Sequence, residues 1–303
     1  MNTGFFSRDG KTVVTASDDG SARLWSVAGG RALSILEHGA PVNVARLSPN
    51  GRLAVTAGRD GVALIWDVRR GTRLQRLETA SPVNDASFSP DGQTVATAGA
   101  DGVAAIWRVS DGRMLSVLRG HAGAIVALVF SRDGKRLGTA SADSTARIWD
   151  VRSAASKELQ GHTSGLTSLA FNPDGSLLAT ASIDADARVW NARSGKEVAV
   201  LRLHVGSVND IAFSADGRWL ATAGPQAAGI WETRKKGAWP ALPIYLVRAP
   251  PPRLDHLVFS SRGWRLAMGW RDGAIRTYDC RLCGGIKQLT RIGRARLREI
   301  VKR

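Results

Sequence analysis

A histidine, a hydroxyl and a carboxylate in one stretch of chain are the residue types of a hydrolytic triad, where geometry rather than chain order defines the machinery. His121, Thr139 and Asp143 form such a set, and His38, Thr56 and Asp60 repeat it, as do His162, Thr180 and Asp184, all at one spacing. A set that recurs three times in this way is read as structural. Each copy satisfies buried polar groups within its own repeat, where a complete network stabilises and an incomplete one costs. Four of the five histidines occupy or match this position, His204 being the fourth, which leaves only His256 for metal or acid-base work. Cys280 and Cys283 make half of a zinc-like Cys-x-x-Cys, but a closed tetrahedral site needs two further ligands and there is no second cysteine pair. No glycine-rich loop ends in Gly-Lys-Ser/Thr to cradle a phosphate. No catalytic residue, metal or cofactor is therefore expected, and binding is the better question.

The elements that position these residues follow from a repeat. Aromatic anchors fall at Trp25, Trp66, Trp107, Trp149, Trp190, Trp231 and Tyr278, spaced 41, 41, 42, 41, 41 and 47 residues, and a fixed period of this size dictates architecture. A glycine follows a polar turn residue at Gly10, Gly51, Gly92, Gly134, Gly175, Gly217 and Gly263. Within a unit, an apolar run ending in Phe130 meets a Ser-Arg-Asp-Gly turn, then a second strand, a second polar turn, the Trp149 strand and a short fourth strand such as Met114 to Leu118. Asp-Gly between β-rich runs is a hairpin signal, because glycine accepts positive φ without steric cost. Each unit is thus a four-stranded antiparallel sheet that cannot bury both faces alone. Seven such sheets stacked radially cover one another. The expected fold is all-β: a seven-bladed β-propeller over residues 1–290, with blades near 1–37, 38–78, 79–120, 121–161, 162–203, 204–249 and 250–290, and a short basic helical tail over 291–303.

The units resemble WD repeats, although Trp-Asp itself survives only at Trp66-Asp67 and Trp149-Asp150, with Tyr278-Asp279 in the last unit. The resemblance implies a buried hydrogen-bond tetrad in many blades: His38, Thr56, Asp60 and Trp66; His121, Thr139, Asp143 and Trp149; His162, Thr180, Asp184 and Trp190. Partial sets are implied at Thr15, Asp19 and Trp25, at Thr97, Asp101 and Trp107, and at His204, Thr222 and Trp231. It further implies a protein or peptide partner on the narrow top face, where Asn43, Asn84 and Asn209 fall at equivalent places, Arg59, Arg253 and Arg271 add positive charge, and Asp255 joins the rim. These asparagines equally suit the capping of local strand ends. Trp239, in the irregular basic connection from Arg234 to Pro252, either anchors a partner or plugs a wider gap between blades six and seven, the plug being favoured. The ending from Tyr278 to Gly285, followed by a basic stretch, is similar to the close of C-terminal sensor propellers in multidomain bacterial signalling proteins. Met1 aligns with a repeat valine, so the chain begins inside a motif, and a sensor separated from its effector is one expectation. Because no strand passes between the termini, the seam where blade seven meets blade one should be the weakest junction.

Composition bounds the alternatives. The chain has 303 residues, 44% of them hydrophobic, with no apolar run long enough to cross a bilayer and no secretion signal, so the expected compartment is the cytoplasm. Two neighbouring cysteines cannot staple distant segments, and stability must come from the core. A net charge of +16 could attract nucleic acid. Yet Arg outnumbers Lys by 34 to 8, the bias of a GC-rich genome, and Lys287, Arg291, Arg294, Arg296, Arg298, Lys302 and Arg303 concentrate the excess near the C-terminus. A non-catalytic scaffold or sensor is the leading reading. A nucleic-acid-associated propeller is the alternative, with weak, non-specific binding expected if the charge is only compositional.

Overall fold

The computed structural model describes residues 2–233, 239–240, 242–248, 253–259, 265–270 and 275–279. Seven antiparallel sheets follow one another along the chain, each built of consecutive strands in simple sequential order. Six have four strands, and the seventh has three among the described residues, Leu254–Phe259, Arg265–Trp270 and Ile275–Asp279. The protein is a seven-bladed β-propeller. The end of blade seven (280–290), the tail (291–303), Arg271, Cys280 and Cys283 lie outside the described residues.

The first hairpin of blades one to six turns on the repeat glycine, with φ near +70° at Gly10, Gly51, Gly92, Gly134, Gly175 and Gly217. The aspartate before it ties the turn: Asp133 Oδ1 accepts the Ser131 hydroxyl (2.6 Å) and the Lys135 N–H (3.1 Å). The second turn needs positive φ as well. Gly20, Gly61 and Gly102 supply it in blades one to three, but Ser144 (φ 71°) and Ala185 (φ 73°) take the same conformation in blades four and five, a strained choice for residues carrying a Cβ.

The inner strands of blades two, four, five and seven bulge at their second residue. Register shifts between Val42 and Val44, Ile125 and Ala127, Leu166 and Ser168, and Leu254 and His256, leaving one residue unpaired and re-aimed in each. The core is divided among the blade junctions. Trp66, Leu47 and Leu64 pack with Val14 and Leu24 of blade one, Trp107 and Phe88 with Val55 and Ile65 of blade two, and so on to Leu257, Phe259 and Trp270 against Trp219 and Ile230 of blade six. No such cluster joins blade seven to blade one among the described residues. On that side of blade one, Trp25 is half-buried and Phe6 is 59% exposed, whereas Phe88, its counterpart in blade three, is buried.

Candidate functional site

In blade four the polar set runs as one directed chain. The indole N–H of Trp149 donates to Thr139 Oγ1 (2.9 Å), which lies 2.8 Å from His121 Nε2, and His121 Nδ1 lies 2.9 Å from Asp143 Oδ2. The tautomer that completes it has the threonine hydroxyl donating to Nε2 and Nδ1–H donating to the carboxylate, an assignment from the network. Blade five repeats it with Trp190, Thr180, His162 and Asp184 at 2.9, 2.9 and 2.8 Å. Asp143 also accepts the Ala122 N–H and both the N–H and hydroxyl of Thr145, so it pins two loops at once. Burial alone would raise its carboxyl, but these donors outweigh it and hold it down to about 2.

The order of groups is that of a triad, yet it cannot act as one. Thr139 and Thr180 are fully buried, and each oxygen already accepts an indole N–H. Burial also pushes His121 and His162 below the ordinary histidine range, against the pull of their carboxylates. Blade two has the same set with the ring turned over: His38 Nδ1 meets Thr56 Oγ1 at 2.8 Å, Nε2 lies a long 3.4 Å from Asp60, and Trp66 donates to Thr56. The partial sets keep their indole-to-threonine bond, Trp25 to Thr15, Trp107 to Thr97 and Trp231 to Thr222. In blade six His204 Nε2 meets Thr222 at 2.9 Å, and burial with no carboxylate beside it lowers the ring to about 4.

The rim residues are drawn into bonds between blades. Asn43 Nδ2 donates to Val83 O of blade three, Asn84 to Ile125 O of blade four, and Asn209 to Leu254 O of blade seven, each at 2.9 Å. Asn2 and Thr167 do the same to Val42 O and Val208 O. Asn43, Asn84 and Asn209 therefore latch blades two, three and six to the blade that follows rather than capping their own strands. Arg59 reaches Asn43 Oδ1 and pairs with Asp18 of blade one at 3.2 Å while staying largely exposed. Arg253 donates to the Ser207 hydroxyl at 3.3 Å, and Asp255 lies 3.4 Å from Asn209 Nδ2.

Trp239 corrects an expectation. It is half-buried against the cluster between blades five and six, not between six and seven, and its indole N–H is enclosed, so it offers no free anchor. No local pattern in the sequence signals which junction Trp239 joins.

Two inter-blade carboxylates were missed from sequence. Asp85 accepts the Leu128 N–H of blade four (2.9 Å) and pairs with Arg46 of blade two (3.0 Å), its carboxyl raised by burial despite those partners. Asp210 accepts the Leu257 N–H of blade seven and the Ser168 hydroxyl of blade five, and its bond holds His256 above the usual histidine range. The shared Val-Asn-Asp at 83–85 and 208–210 was the available signal.

On the same rim, blades five and six carry exposed apolar side chains: Ile183, equivalent in its turn to Arg59, is 56% exposed, and Val205, beside His204, is 77% exposed. Among the described residues no cluster of three or more histidine, cysteine or acidic side chains could hold a metal, and no helix is long and apolar enough to cross a membrane.

A search of the curated proteins found no match to this chain. Six stretches, residues 3–26, 30–67, 71–108, 112–150, 154–191 and 195–231, match the family described as WD domain, G-beta repeat. Propellers of that family generally serve as non-catalytic scaffolds that bind other proteins or peptides. With most of its length matched and every matched stretch coinciding with strands of successive blades, the chain belongs to the WD-repeat family.

Proposed function

We propose that this propeller is a non-catalytic scaffold or sensor that holds a protein or peptide partner on its narrow rim, in the manner of a bacterial signalling module. The observation that carries the reading is the pair Ile183 and Val205, exposed apolar side chains on adjacent blades of a face where Asn43, Asn84 and Asn209 are already bonded to backbone carbonyls of the next blade. Apolar anchors in a rigid polar rim are the usual form of a small interface core. Inter-blade latches at Asn43, Asn84, Thr167 and Asn209 support it by holding the rim in shape before a partner arrives, which lowers the ordering cost of binding. Arg253, bonded to Ser207 of blade six, supplies charge beside that core.

Cross-linking in native cells, followed by mass spectrometry, tests the proposal. Ile183→Asp with Val205→Asp should remove the principal cross-linked partner while leaving thermal melting unchanged; an unchanged partner set would refute the rim as the site. Nucleic-acid binding should be weak, independent of sequence and steeply lost with salt, as counterion release requires. Tight, sequence-selective binding that persists without residues 291–303 would favour the nucleic-acid reading instead. Many arginines that would serve it, including Arg23, Arg46, Arg76, Arg108 and Arg147, already pair with carboxylates of the chain.

A further inference from the structure

The last residue of the inner strand is a phenylalanine in six blades: Phe6, Phe88, Phe130, Phe171, Phe213 and Phe259. From blade three onward this ring packs against the preceding blade, as Phe88 does on Val55 and Ile65 and Phe259 on Trp219 and Ile230. Blade two departs from the rule. Leu47 stands at that position, partly buried against blade one, with a smaller side chain than the ring of the other blades.

A cleft of about 650 Å³ opens at this same junction, between blades one and two and on the side of the Asp-Gly turns. Its lining is mixed: Leu24, Leu33, Leu47 and Val68 form an apolar strip, with Leu33 47% exposed, and Ser7, Thr12, Ser34 and Asn50 line the rest. Arg8 and Arg69 stand at its mouth, one from each blade. Neither has an ion-pair partner among the described residues. Asp9, also at the mouth, is engaged by the Ser7 hydroxyl and the Lys11 N–H of its own turn, and those donors keep its carboxyl below the ordinary range. Two guanidinium groups against one carboxylate leave the mouth positive. The size lies within the range of small-molecule pockets, which pair apolar walls with a few placed polar groups. Planar guanidinium forks suit a carboxylate in particular.

We infer that the cleft between blades one and two binds a small amphipathic carboxylate, its apolar chain against Leu24, Leu33, Leu47 and Val68 and its head group between Arg8 and Arg69. The site is on the opposite side of the blades from the rim latches and needs no partner protein. It would let a metabolite-sized ligand stiffen the junction between two blades.

Isothermal titration of the full chain with decanoate, decanol and decyltrimethylammonium, each below its micellar concentration, tests this. Saturable one-site binding of decanoate is expected, with decanol weaker and the cation weaker still. Leu47→Phe, which restores the residue of the other blades, should weaken decanoate at least tenfold. Should that variant fail to melt cooperatively, Leu33→Glu, at a half-exposed outer-strand position, should expel the anion without touching the core. Arg8→Gln with Arg69→Gln should lower decanoate affinity about tenfold and leave decanol unchanged. Decanoate that does not saturate, that binds no better than the cation, or that binds the well-folded Leu47→Phe or Leu33→Glu chain at full strength overturns the inference.

Discussion

Blade four and blade six fold the same strands around the same threonine and tryptophan, yet they treat the histidine differently. In blade four the ring of His121 lies between Thr139 and Asp143, and the carboxylate continues into the Ala122 and Thr145 backbone. In blade six the second turn is shortened: Gly224 ends the second strand as Gly58 does in blade two, but Pro225 and Gln226 follow it with no counterpart of Asp60. His204 lies so close that a Cβ on Gly224 would meet its Nδ1 at 2.3 Å. The contrast separates two roles that the complete tetrad merges. The threonine holds the indole and the imidazole inside one blade, while the aspartate ties the blade to the loop that enters it. Blade six retains the first role and gives up the second.

The contrast should break hardest at the threonine. Thr139→Val leaves a buried indole N–H and a buried imidazole nitrogen without their partner, and should cost about 3 kcal/mol by denaturant unfolding, given about 1 to 3 kcal/mol for each orphaned group. Thr222→Val in blade six should cost nearly as much. A loss under about 1 kcal/mol at both would remove the threonine from the centre of the network.

Acid should single out blade six. His204 is neutral when folded because burial lowers it to about 4, while an unfolded histidine titrates at its ordinary value of 6.5. Between these pH values the unfolded chain binds the extra proton, so stability is full above about pH 6.5 and falls as pH drops towards 4. The cost approaches about 3 kcal/mol at about 1.4 kcal/mol for each tenfold step. His204→Gln should flatten this limb measurably, with His38, His121 and His162 accounting for what remains, since each is also lowered by burial. A limb of unchanged slope would show that His204 is not the sensitive group.

The aspartate gives a more moderate difference. Asp143→Ala removes the acceptor of His121, Ala122 and Thr145 and should cost about 2 kcal/mol. Asp101→Ala in blade three, where no histidine stands and Asp101 Oδ1 accepts the Val103 N–H, should cost about 1 kcal/mol. Equal losses would mean that the aspartate serves only its turn. The smallest effect runs the other way. Ala185→Gly relieves a φ of 73° in blade five and should gain somewhat under about 1 kcal/mol; a loss would show that the Ala185 methyl group is needed where it sits.

Sequence by itself determined what lies within one repeat. Trp149 meets Thr139 and His121 meets Asp143 because antiparallel register is set by the turns between strands, and those turns are written locally in Asp, Ser and Gly. A period of 41 or 42 residues therefore carried the blades, their strand order and the histidine chains, down to an outer strand that runs Met114–Leu118. What lies between repeats was decided only by the tertiary structure. Asn43 was legible as a rim residue, but whether its amide faces a partner or the Val83 carbonyl forty residues on depends on how far each blade rotates against the next. The same rotation brings Arg46 to Asp85, seats Trp239 one junction away from its expected place, and makes Leu47 the wall of a cleft. Hydrogen-bond register is discrete and can be counted along a chain, whereas packing between sheets is set by the volumes of side chains from two blades at once, which no single repeat contains.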